Sequence, residues 1–173
     1  MNQVAPFTFF QTLALWLHIV SVAVWLGGIV FFLVVFGPAA HRLRPAEGVR
    51  TLNRGRGAFQ TLSWIAINLL ILTGVLIFGF RAATGGSSLG IAYYATLTVK
   101  LLLFAAMVFH HALQSFKYAP RIASLTDVTG DDSIDAWPEL LLAGWRKWFV
   151  LLKINAALGV IVLLLGVALS WKW

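Results

Sequence analysis

The chain of 173 residues contains no cysteine. Disulfides, thiolate metal sites and cysteine nucleophiles are thereby excluded, and the redox compartment stays open. Charge is scarce: 11% of residues are charged, with six acids against 13 lysines and arginines. Five of those acids fall between Asp127 and Glu139, where the spacing lacks a calcium-loop pattern and reads as a solvated loop. There are two methionines and no His- or Met-rich segment of the kind that captures Cu(I). What fills the chain instead is apolar, 60% hydrophobic with a mean hydropathy of +0.87. That is the profile of an integral membrane protein with no room for a second sizeable domain.

The apolar runs predict an all-α fold, an integral membrane four-helix bundle in one domain, with spans at about 7–36, 58–80, 91–118 and 148–171. Loops at 37–57 and 119–147 connect them. The N-terminal MNQVAPF has no Lys, no Arg and no A-x-A site, so it reads as the start of a retained span, not a cleaved leader. Loop 37–57 carries Arg42, Arg44, Arg50, Arg54 and Arg56 against Glu47. Basic residues beside spans set topology, so both loops are expected in the cytoplasm and both termini on the outer, periplasmic side of a multi-pass inner-membrane protein. The same effect accounts for the net charge of +7, and nucleic acid is not an expected partner. The lipid bilayer is; the loop arginines also suit anionic headgroups. His41 reads as solvated. IDAWPELLLAGW reads as a short interfacial helix with Pro138 in its first turn and tryptophans at headgroup level.

Two stretches carry chemistry. In LHIVSVAVWLGGI the residues His18, Ser21, Trp25 and Gly28 share one helix face, and an ionisable side chain within a span is a functional-site candidate. In the third span Tyr93, Lys100, Met107 and His111 lie within about 20° of one line, with Thr96 and Gln114 beside it and His110 about 80° away. Such a polar stripe must face protein, water or a ligand. Lys100 has the alternative of snorkelling to the outer surface. Gln60, Trp64 and Asn68 form a seam on the second span, Thr73-Gly74 follows, and Arg81 opens the next loop. Trp148, Asn155, Gly159 and Gly166 share a face of the last span.

Helix rise decides which of these can meet. From the inner ends His18 is about 27 Å away and His111 about 10 Å, so one iron is out of reach of both. From the outer ends His18 is about 16 Å deep and Lys100 about 14 Å, so these two meet near Thr73. A haem with His18 as axial ligand would find Lys100 and Arg81 placed for its propionates. The competing reading is a buried imidazole hydrogen-bonded to Thr73 or Ser21. Met107, His110 and His111 form a second candidate metal site, with donors that suit copper or haem iron, against packing and interfacial anchoring.

His18 followed by Trp25 and Gly27, the Thr73-Gly74 pair, LTVKLLLF around Lys100, and Asn155 resemble the copper resistance protein D (CopD) superfamily. The His18-to-Trp25 segment, with Lys100 followed eleven residues later by His111, is also similar to the HemJ-type protoporphyrinogen oxidases. The resemblance implies a haem b-binding redox or electron-transfer protein acting on a porphyrin or quinone. His18 would be the iron ligand, Lys100 the propionate or catalytic substrate partner, and His111 a ligand or proton relay. Copper transport or resistance, and a structural subunit among partner membrane subunits, are the alternatives.

Overall fold

The computed structural model describes residues 4–85, 90–128 and 136–171. The connector at 86–89 and the acidic stretch with Asp131, Asp132 and Asp135 lie outside the described residues. Helix α1 is Val4–Phe31, continued through a π-helical segment, Phe32–Phe36, into α2, Gly37–His41. Helix α3 is Pro45–Gly85 and α4 is Ile91–Ala112, the latter continued through a second π segment, Leu113–Tyr118, into α5, Ala119–Val128. Helix α6 is Glu139–Trp171. Four helical stretches, Thr8–His41, Pro45–Ala83, Ile91–Asp127 and Glu139–Leu169, are long and apolar enough to cross a membrane. The architecture is that of a multi-pass, all-helical membrane protein.

Much of the sequence expected as loop is helix. Residues 45–57 form the first turns of α3, 119–128 form α5, and 139–147 open α6 without a break. Both long helices begin next to a proline, at Pro45 and Pro138, where a missing N–H costs nothing. Prolines also explain the π segments. Pro38 has no N–H to offer the carbonyl four residues back and its ring crowds that carbonyl, so the preceding turn widens and the Gly37 N–H bonds Phe32 O. Pro120 does the same to α4, where the Ala119 N–H bonds Gln114 O.

The bundle is two hairpins, α1 packed on α3 and α4 packed on α6. They are built alike: a span, a π segment, a Pro-started short helix, then a long helix after a second proline. His18 precedes Pro38 by 20 residues, and Lys100 precedes Pro120 by 20.

One end of the bundle carries Arg42, Arg44, Arg146 and Lys147, and is called the basic end below; the far end is where α1 starts and α3 stops. The main core fills the half nearer the basic end. There Ile29, Leu52, Ile67, Ile122, Leu141, Trp145, Trp148 and Leu152 are almost wholly buried. Trp145 and Trp148 thus sit in the core, Trp148 against the rings of Phe32 and Phe59 and Trp145 against that of Phe149. Burying such a side chain is worth roughly 1.5–3 kcal/mol where the alternative is water. Arg56 is buried too, its guanidinium donating to Asn53 Oδ1 and Gln60 Oε1. It is a structural cation within α3, and not part of a solvated loop.

The far half is different. Its buried residues are few, chiefly Ala14, Ser21, Thr73, Tyr93 and Leu169. None of residues 74–83, 94–106 or 160–168 is buried.

Candidate functional site

The half with few buried residues holds His18. Its Nδ1 lies 2.8 Å from Thr73 Oγ1, across the α1–α3 contact. The Thr73 hydroxyl has one proton, and it is donated to Leu69 O at 2.6 Å, the next turn of its own helix. Thr73 must then accept from His18, which fixes the proton on Nδ1. The lone pair is left on Nε2, which has no hydrogen-bond partner among the described residues. Histidines that bind metal are held in this way, one nitrogen fixed by an acceptor and the other presented. Ser21, the other partner expected for His18, instead donates to Leu17 O. Gly74 keeps the wall beside the ring flat: a Cβ there would stand 3.6 Å from His18 Cε1.

Lys100 approaches from the other hairpin. Its ammonium lies against Gly166, where a Cβ would be 3.3 Å from Nζ, and α6 has no side chain to obstruct it. It is half-buried and has no hydrogen-bond or ion-pair partner among the described residues. It is within electrostatic reach of both His18 and Arg81. Arg81 donates to Leu169 O at 3.3 Å and lies over the Tyr93 ring. Two cations and an imidazole therefore share the far half; an ion pair of Arg44 with Glu47 is at the basic end. An anion would be attracted there, and strongly, because the surroundings are apolar.

These residues fit a haem. An imidazole nitrogen without a partner among the described residues, a lysine likewise without one and an arginine at comparable depth, and an interior with few buried residues are what a porphyrin with propionates needs from a bundle. The group would be held by His18 Nε2 at the iron, and by Lys100 and Arg81 at the carboxylates.

The second group of candidates is not gathered in the same way. Met107, His110 and His111 point to different neighbours. Met107 packs beside Gly159 on α6. His110 Nδ1 is 3.1 Å from Asn155 Oδ1, and Asn155 Nδ2 donates to Met107 O at 3.1 Å. Asn155 is wholly buried and ties α6 to α4 at two points. Its signal in the sequence was a lone amide on an otherwise apolar face. Asn155→Leu should lower the melting temperature in detergent by a few degrees. The loss is about 1 kcal/mol, because polar contacts between membrane helices are worth little more than that.

His111 is 1% exposed and boxed by aromatic rings, with centroids of Trp64, Phe59 and Trp25 at 5.1, 6.1 and 6.2 Å. Among the described residues neither ring nitrogen has a partner at full hydrogen-bond geometry, although the Gln114 side chain and the Gln60 backbone are close enough to act on the ring, and Trp25 Nε1, Ser63 Oγ and Gln114 Oε1 are buried without a partner as well. A buried polar group without a partner costs about 1–3 kcal/mol. His111→Leu, close in volume and free of that cost, should raise the melting temperature, whereas His111→Ala should lower it by opening a cavity. A fall with leucine would mean that the imidazole has a partner in the membrane.

The seam on α3 divides. Gln60 Nε2 donates to Gln114 O and Trp64 Nε1 to Ser115 Oγ, both on the second π segment, while Asn68 is exposed and bonds its own helix at Trp64 O. No protein-family model, curated protein or solved structure matches this chain.

Proposed function

We propose that this is a haem b-binding membrane protein that passes electrons, with a membrane-soluble porphyrin or quinone as the partner molecule. The single observation that carries the reading is the His18–Thr73 pair, which presents Nε2 into a half-bundle with almost no core and an unpaired lysine. The similarity of the His18-to-Trp25 and Lys100-to-His111 segments to CopD-like and HemJ-type proteins supports it. When bound, haem supplies one-electron chemistry; the chain's own part is to orient the iron ligand, offset carboxylate charge and exclude water.

The arginines of residues 42–56 favour a cytoplasmic basic end, and on that reading the site is in the outer half of the inner membrane. Thr73 acts through His18 as a positioning residue. Lys100 is the group expected to touch the ligand's carboxylates, and Gly166 gives it room.

The test is a visible spectrum of protein purified in detergent, oxidised and then reduced with dithionite. A Soret band with sharpened α and β bands on reduction is the expected result. Protein made with ample haem and showing no such absorbance would overturn the proposal.

A further inference from the structure

A groove lies at the opposite end of the molecule from His18. It is set between the first π segment and α6 and measures about 320 Å³, with Leu33, His41, Arg146, Phe149, Val150 and Lys153 along it. Its origin is the wide turn at Phe32–Phe36 followed by Gly37. That glycine meets the Phe149 ring so closely that a Cβ would stand 3.0 Å from Cζ.

The chemistry of the groove is graded. Leu33, Phe149 and Val150 are apolar and belong to stretches able to cross a membrane. Arg146, Val150 and Lys153 follow one another at spacings of four and three, so they share a stripe of α6. Lys153 is seven residues, about 10 Å, further from the basic end than Arg146. Its side chain leans toward the N-terminus of α6, which is at the basic end, so the ammonium rises toward the guanidinium. Both are exposed, and neither has an ion-pair partner among the described residues. Across the groove stands His41, its ring 4.8 Å from that of Trp137.

We infer that this groove binds an anionic phospholipid, the phosphate between Arg146 and Lys153 and an acyl chain along Leu33, Phe149 and Val150. Charge complementarity and depth both favour it: two unpaired cations stand over an apolar channel at the level where a headgroup meets its chains. A free phosphate would satisfy the cations and leave the channel unfilled.

Native mass spectrometry of the detergent-purified full chain tests this with added phosphatidylglycerol, phosphatidylcholine and sn-glycerol 3-phosphate. Phosphatidylglycerol should bind preferentially, and R146Q/K153Q should weaken it by about thirtyfold, two cations' worth of surface attraction. R146K/K153R should retain it. V150W, which keeps both charges and fills the channel, should also weaken it, and R42Q/R54Q, which removes two exposed arginines outside the groove, should change it little. Equal binding of the two lipids would overturn the inference, as would an effect of R42Q/R54Q equal to that of R146Q/K153Q, or none of V150W. Glycerol phosphate displacing the lipid at millimolar concentration would make this a small-anion site and overturn it too.

Discussion

His18→Ala protein, expressed with ample haem and purified beside the wild type, should show no Soret band while keeping its elution volume and helicity. The side chain is half-buried and its one hydrogen bond is to Thr73, so its removal leaves the core of the other half untouched. The iron ligand goes with it, and nothing in the far half replaces it: His110 and His111 belong to the other half, bonded to Asn155 and boxed by aromatic rings. A graded series makes the result specific. Thr73→Val removes the acceptor that holds the proton on Nδ1, and loss of such a partner typically costs 10–100-fold in affinity. Thr73→Ser keeps the hydroxyl and should recover most of it. Retention of the full band in His18→Ala would reject His18 as the ligand.

The largest structural effect is expected at Gly48. A Cβ at this buried position would stand 2.6 Å from Ala40 O and 2.9 Å from the Trp137 ring. The carbonyl belongs to backbone at the end of α2, and Gly48 N–H bonds Arg44 O at 2.8 Å, so neither side can move away freely. Gly48→Val should therefore cost about 3 kcal/mol, the upper part of the range for overpacking, and lower the melting temperature by many degrees. Gly57→Ala is the contrast. It is on the same helix, nothing lies within 4 Å of its Cβ position, and the exchange should stabilise by up to about 1 kcal/mol. If both substitutions acted alike, helix propensity and not close packing would govern α3.

The spans were legible because about 20 apolar residues in a row have few other uses. The interior stripe of α4 was legible for the same physical reason: Tyr93, Met107 and His111 are buried and Lys100 half-buried, as a polar line on an apolar helix demands. Helix ends were harder. Residues 45–57 and 139–147 are too polar for a hydropathy reading to join to the spans, yet the backbone continues through them. Nothing in the sequence foretold that Trp145 and Trp148 would be buried, since that depends on which rings of other helices, such as Phe32 and Phe59, meet them. The direction of the His18–Thr73 hydrogen bond was likewise hidden. It follows from Thr73's second bond, to Leu69 O, which only coordinates reveal.

The equal spacing of His18 and Lys100 from their prolines has a consequence in terms of descent. Two hairpins with the same succession of elements are the pattern that duplication of one hairpin leaves in a chain. In that light His18 and Lys100 would hold equivalent positions in the two hairpins, as would the residues they lie against on the following helices, Thr73 and Gly166. A ligand placed between them would meet the same order of elements on both sides and two different chemistries, an imidazole on one and an ammonium on the other.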